Sequence, residues 1–143
     1  MRIFLPISIL FINLIGFSQT EITWEDLKID SFAEAWNEEY QAVHLSPIFN
    51  EKTKELDGKS IHITGFVVPI DTIGHYYVLS ESKFNNTNCF MVYSDESINL
   101  QIKFDVSPKM YDIITVSGIL EINKDEINQL NYILKDAKII TNK

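Results

Sequence analysis

Apolar and polar residues alternate along the stretch Asp57–Asp71, which reads DGKSIHITGFVVPID. Ile61 and Ile63 fall on one side of an extended chain there, whereas His62 falls on the other. This period of two predicts a half-buried β-strand. Gly65 lies in the middle of the strand, where a missing side chain allows a sharp bend or the close approach of another backbone. We therefore expect the long first strand of a small, coiled β-barrel.

Similar patterns predict four further strands after this first one, which we place at Lys59–Ile70. The further strands are Tyr76–Ser80, Leu100–Phe104, Ile113–Ile122 and Tyr132–Thr141. Five strands, with a glycine near the centre of the first and the fourth, predict a five-stranded Greek-key barrel of the OB type. A fragment of a β-sandwich is the alternative, but the short loops and the number of strands favour the barrel.

The segment before the barrel has a different period. Phe32, Trp36 and Tyr40 recur every four residues within Glu21–His44, which predicts a helix with three aromatics on one face. That face either packs on the barrel and closes an open end, or stays exposed and binds a partner; we expect the first.

A second helix is predicted to begin at Ser46-Pro47, with serine as N-cap and proline in the first turn, and to end at Gly58. The predicted fold is therefore mainly β. It has an N-terminal helical extension at residues 19–57 and an OB-like barrel at residues 58–143.

The first eighteen residues have the composition of a secretory signal peptide. Met1-Arg2 gives a basic start, Ile3–Ile15 is mostly apolar, and Gly16-Phe17-Ser18 places small residues before a cut at Gln19. A membrane anchor is the competing interpretation, but the apolar run is shorter than the about 20 residues that a span needs. We expect cleavage near Ser18, a periplasmic or secreted protein, and no transmembrane segment in the mature chain.

Charge and cysteine content narrow the range of partners. Removing residues 1–18 removes one arginine, which leaves 11 basic against 20 acidic residues and a formal charge of −9. Nucleic-acid binding depends mainly on neutralising phosphates with Lys and Arg, so we expect no nucleic-acid partner. Cys89 is the only cysteine, so no intramolecular disulfide can form and the fold rests on its core. We expect a monomer.

From Trp24 to Lys138 the chain resembles an uncharacterised family of small exported bacterial proteins, a domain of unknown function. The matching segments are TWEDL at Thr23–Leu27, LDGKSIHITGFVVPID at Leu56–Asp71, YYVLS at Tyr76–Ser80, VSGIL at Val116–Leu120 and INQLNYILKDA at Ile127–Ala137. The resemblance implies an OB-like barrel and export, and it adds no known activity.

Many members of that family carry a Cys-x-x-Cys followed by glycines where this chain reads Cys89-Phe90-Met91-Val92. Only the first cysteine is kept here. The resemblance therefore implies that any metal or dithiol chemistry of relatives is lost. A degenerate member of a metal-binding or thiol-redox periplasmic family remains the alternative to a binding module.

The residues themselves give little support to catalysis or metal binding. His75 and Cys89 flank the second predicted strand and are the best pair of metal ligands, but no two of the histidines and the cysteine lie within four residues. Acidic residues surround Cys89, whereas a reactive thiolate needs an electropositive setting. We expect no enzyme activity, no catalytic residue and no cofactor.

Binding is the better supported function. OB barrels meet ligands on the face of strands two and three and in the adjacent loops, which places Tyr76, Gln101 and Lys103 at the site. Phe90 and Tyr93 lie in the polar stretch Ser82–Ser97, where apolar side chains either fold back onto the core or form an exposed contact patch. We expect an exported, non-catalytic binding module of the cell envelope for a protein, peptide or small-molecule ligand; an oligosaccharide is a further candidate.

Overall fold

A computed structural model describes residues 19–71, 73, 75–82, 99–104 and 108–142. The elements are β1 (Thr20–Glu21), the 3₁₀ helix η1 (Trp24–Leu27), β2 (Ile29–Asn37), β3 (Ala42–Phe49), α1 (Glu51–Leu56), β4 (Ser60–Asp71), β5 (Tyr76–Ser80), β6 (Asn99–Lys103), β7 (Ile113–Ile122) and β8 (Tyr132–Asn142). The five predicted barrel strands correspond to β4–β8. The predicted signal peptide at 1–18, and Cys89, Phe90 and Tyr93 in the stretch after Ser82, lie outside the described residues.

Strands β4–β8 form a closed five-stranded barrel in the order β4-β5-β6-β8-β7, with β7 pairing back to β4. The long strand β4 closes it, because residues 60–66 pair with β7 and residues 66–71 pair with β5. Neighbouring strands are antiparallel except β6 and β8, which run parallel. Pro69 lies beside an irregularity in the β4–β5 pairing.

The interior of the barrel is a continuous apolar core. Alternate residues of every barrel strand point into it, and Trp24 and Leu27 from η1 close it from the N-terminal side. The two central glycines lie where strands approach closely. A Cβ at Gly65 would lie 2.7 Å from the Ser80 carbonyl oxygen, and one at Gly118 would lie 2.6 Å from the Lys135 carbonyl oxygen. Both positions therefore exclude larger residues, which accounts for the glycine placement in the sequence.

The N-terminal residues complete the side of β4 that β5 leaves open. β5 ends at Ser80, opposite Phe66, and β1 pairs in parallel with β4 at Ile61 and His62. Between these two pairings the Trp24 indole donates a hydrogen bond to the Thr64 carbonyl oxygen at 2.8 Å. A backbone acceptor that a neighbouring strand would otherwise satisfy is thus paired by a side chain.

The helix predicted within Glu21–His44 is wrong: β2 and β3 form an antiparallel β-hairpin instead. Phe32 lies opposite Pro47, and Trp36 lies opposite Val43. A spacing of four residues is close to one helical turn, but it is also two periods of a strand, so Phe32 and Trp36 share a face in either structure. The alternation of Val43 and Leu45 with His44 and Ser46 was the strand signal that decides between them.

The second predicted helix exists but begins later than Ser46-Pro47. Both residues lie in β3, and the Ser46 hydroxyl donates to the Lys124 carbonyl oxygen at 3.2 Å rather than capping a helix. The cap of α1 is Asn50, whose side-chain oxygen accepts from the Thr53 amide at 2.8 Å. Gly58 follows the helix with a φ of +72°, as expected for a glycine at a helix end.

The hairpin is attached to the barrel at its base, between η1 and α1. Phe49 at the end of β3 packs against Tyr132 of the core, with ring centroids 5.5 Å apart. The Tyr132 hydroxyl donates to the Leu27 carbonyl oxygen at 2.6 Å, and burial raises the pKa of this phenol. Asp26 forms an ion pair with Lys52 across the same junction. In the described part of the chain no helix has the length and apolar character needed to cross a membrane.

Candidate ligand-binding site

The outer face of β5 and β6 carries the candidate site. Tyr77 and Leu79 of β5 point into the core, so the alternate residues Tyr76 and Val78 point outward. Tyr76 is 41% exposed, whereas Val78 is buried under the connection between β7 and β8. The face therefore presents an aromatic ring beside a covered apolar floor.

The connection at residues 123–131, which we call the β7–β8 loop, forms one wall of this face. Leu130 packs with Val68 and Val78 in a small buried cluster outside the barrel. The Leu130 amide donates to the Gln101 side-chain oxygen at 3.2 Å. Asn123 holds the loop from within, because its side-chain amide donates to the Glu126 and Leu130 carbonyl oxygens. Gln101, a predicted ligand residue, thus positions the loop.

An open groove of about 510 Å³ lies between the strands and the loop. Its lining combines aromatic rings, apolar side chains, amides and one carboxylate; the residues include Ile70, Asp71, Tyr76, Gln101, Asn128 and Gln129. A smaller depression of about 270 Å³ continues across β6 and β8, and it shares Tyr76 and Gln101 with the groove. Pockets that mix apolar walls with a few polar groups are typical ligand sites.

The structure brings together three of the predicted ligand residues: Tyr76, Gln101 and Lys103. Tyr76 and Lys103 lie opposite one another on the paired strands, and the Lys103 ammonium lies 5.3 Å from the centre of the Tyr76 ring. This distance suits a cation–π contact. The cation and the exposed ring would meet a ligand as one unit. Phe90 and Tyr93 stay predictions.

Of the two predicted metal ligands, only His75 lies within the described residues. His75 has a φ of 58°, and its carbonyl oxygen accepts from the Phe104 amide at 3.1 Å, so its backbone supports the turn before β5. Cys89 lies outside the described residues. Within those residues no group of three His, Cys, Asp or Glu side chains is arranged to hold a metal ion.

Two features of this surface were missed from the sequence. Ile70 at the end of β4 is 51% exposed and lines the groove. A further groove of about 320 Å³ lies between the hairpin and the β7–β8 loop. It was missed because its hairpin wall was predicted as a helix.

Comparisons of the chain with models of known protein families, with curated proteins and with solved structures give no match. The resemblance to a family of small exported bacterial proteins therefore stays a prediction.

Proposed function

We propose that this protein is an exported, non-catalytic binding module of the cell envelope. It is built on an OB-type barrel, and its ligand occupies the groove beside Tyr76. The observation that carries the proposal is the groove itself, an open volume of about 510 Å³ on the face of β5 and β6.

The order of the strands supports the OB assignment. With the five barrel strands counted from β4, the third and fifth run parallel and the first pairs with both the second and the fourth. A long, bent first strand that closes the barrel suits a small five-stranded Greek-key barrel. The face of the second and third strands and the loop between the fourth and fifth are the usual ligand positions in such barrels, and here they line the groove.

The chemistry of the groove favours a neutral ligand with both polar and apolar groups. Asn128 and Gln129 offer amide donors and acceptors, Tyr76 offers a ring face, and Asp71 offers a carboxylate. Lys103, which lines the adjoining depression of about 270 Å³, places a cation beside the Tyr76 ring. Sugars and short peptides match this combination.

The test is a ligand screen of the chain starting at Gln19 on a glycan array, followed by calorimetry with the best ligand. We expect Tyr76→Ala to weaken binding about tenfold or more, because an exposed aromatic anchor contributes strongly at such sites. Lys103→Met should weaken it less. Ile140→Ala is the matched control, since Ile140 is 48% exposed on β8 and does not line the groove.

Two results would contradict the proposal. One is the absence of binding on the array, with no response to a small-molecule library in a thermal-shift screen. The other is a ligand whose affinity is the same for wild type and Tyr76→Ala.

Export is tested separately. Expression of the full chain in a bacterial host, followed by mass spectrometry of the periplasmic fraction, should give the mass of a chain that begins at Gln19. Retention of residues 1–18 in the membrane fraction would favour the anchor instead.

A further inference from the structure

The hairpin presents a second surface. The groove of about 320 Å³ beside it shares Gln129 and Leu130 with the groove beside Tyr76. Residues that lie opposite each other in an antiparallel pair project from the same face, and faces alternate along the strands. The pairs Phe32–Pro47, Glu34–Leu45 and Trp36–Val43 therefore share one face. We call this set of six residues the hairpin face.

The hairpin face is largely apolar and open to solvent. Trp36, Val43 and Leu45 are 54%, 59% and 50% exposed. Toward its base, Phe32, Leu45 and Pro47 line the groove of about 320 Å³ against the β7–β8 loop, where Ile127 adds another apolar side chain. Apolar side chains that are contiguous and exposed mark interaction surfaces more often than scattered ones do.

The charge of the hairpin indicates what kind of partner fits. Between Lys28 and Lys52 the sequence contains no lysine or arginine, while residues 29–49 contain four carboxylates: Asp30, Glu34, Glu38 and Glu39. Glu34 lies on the hairpin face, and Glu38 and Glu39 lie in the turn at its tip. On the facing β7–β8 loop, Lys124 and Glu126 offset one another. Among the described residues, none of Glu34, Glu38 and Glu39 forms an ion pair, so this part of the structure borders the apolar face with net negative charge.

This charge disfavours two of the possible occupants. A second copy would bring the same carboxylates together, and like charges across an interface oppose association. Anionic lipid surfaces repel the same groups. A partner with apolar side chains flanked by lysine or arginine can contact the apolar residues of the hairpin face and pair with the carboxylates beside them.

We propose that the hairpin face docks a basic, apolar segment of another protein. The apolar side chains of that segment contact Trp36, Val43 and Leu45, and its lysines or arginines lie near Glu34, Glu38 and Glu39. The Trp36 ring is the main anchor, because tryptophan is enriched among residues that dominate binding.

The test is selection of a random linear peptide library, displayed on phage, against the chain starting at Gln19. We expect enriched peptides to combine apolar residues with lysine or arginine. Calorimetry with synthetic copies should show about tenfold weaker binding to Trp36→Ser/Val43→Ser. Glu38→Lys/Glu39→Lys should weaken binding and reduce its dependence on salt.

Matched variants separate this surface from its surroundings. Ile48→Ser removes an apolar residue that is 47% exposed on the opposite face of the same hairpin, and it should change the affinity less than twofold. Tyr76→Ala should also leave the affinity unchanged. Unaltered melting temperatures for all the variants would show that the barrel is intact.

Three outcomes would overturn the proposal. If the selection enriches neutral or acidic peptides, or no peptide, then the hairpin face does not select a basic partner. A peptide that binds Trp36→Ser/Val43→Ser as tightly as it binds wild type, and that loses affinity for Tyr76→Ala, binds in the groove beside Tyr76 and not at the hairpin face. A wild-type dimer in analytical ultracentrifugation that Trp36→Ser/Val43→Ser dissociates would make a second copy the occupant.

Discussion

The barrel and the hairpin are built from the same kind of antiparallel pairing, but they bury their side chains very differently. In β5, Tyr77 and Leu79 are 1% and 0% exposed. In the hairpin, Trp36 and Val43 lie opposite each other and are each more than half exposed. Side chains of similar polarity thus serve as core in one region and as surface in the other.

The difference shows where the stability of the fold resides. Apolar area removed from water is the main favourable term in folding, and the barrel interior supplies it. An isolated two-stranded hairpin is marginally stable in water, so this hairpin depends on its attachment at Phe49 and at the η1–α1 junction. Trp36 is 54% exposed and buries little apolar area, so it adds little to stability, which is consistent with its proposed role on the hairpin face.

The largest expected contrast is between two leucines. Leu79→Ala in β5 should lower the free energy of unfolding by about 3 kcal/mol, because Leu79 is fully buried and its removal leaves a cavity. Leu45→Ala in β3, at a residue 50% exposed, should change it by about 0.5 kcal/mol or less. Urea unfolding followed by far-UV circular dichroism measures both. Equal losses would mean that the hairpin is part of the core.

A second contrast compares two glycines. At Gly65 an added Cβ would lie 2.7 Å from both the Ser80 carbonyl oxygen and the Trp24 ring. Gly65→Ala should therefore cost about 2 kcal/mol through overpacking. At Gly58 the space is open but φ is +72°, so Gly58→Ala should cost only about 1 kcal/mol. If calorimetric melting shows Gly65→Ala to be the milder change, the barrel strands can separate at little cost.

The smallest expected effect concerns pH at the junction between the two regions. The hydrogen bond from Lys52, then that from the Thr23 amide, holds the pKa of Asp26 below its ordinary value of 3.8. The ionised form therefore stabilises the fold above that pH, and this contribution is lost as pH falls through the lower pKa of the folded state. The melting temperature of Asp26→Asn should lie below that of wild type at pH 6, and the gap should narrow below about pH 4. A gap independent of pH would show that the carboxylate charge is not what stabilises the junction.

The barrel strands were predictable because each has a buried face that imposes a period of two. β5 and β7 have the predicted bounds, and Asp136, where the alternation of β8 breaks, has a φ of 53°. The hairpin was not predictable from its aromatics, because a spacing of four fits a strand and a helix alike. Its turn at residues 38–41 also lacks the glycine that usually marks a hairpin.

The sequence predicted which face of the sheet carries the candidate site, but not the groove on that face. Alternation in β5 and β6 placed Tyr76 and Lys103 on the outer side of the sheet, where the structure has them in contact. The groove itself depends on how the β7–β8 loop folds over Val78, and long-range contacts decide that: Leu130 packs on Val68 and Val78, and its amide donates to the Gln101 side chain. No local pattern encodes a contact between residues 29 positions apart.

The chain has two tryptophans: Trp24 packs on the barrel core, and Trp36 lies on the hairpin. Trp24 is 9% exposed and hydrogen-bonded inside the barrel wall, whereas Trp36 is 54% exposed on the hairpin. Their indoles should therefore emit at different wavelengths, the buried one toward the blue. With Trp36→Phe the remaining emission follows barrel unfolding alone, and with Trp24→Phe it reports events at the hairpin. The protein thus carries one intrinsic fluorophore that reports on the barrel and one that reports on the hairpin.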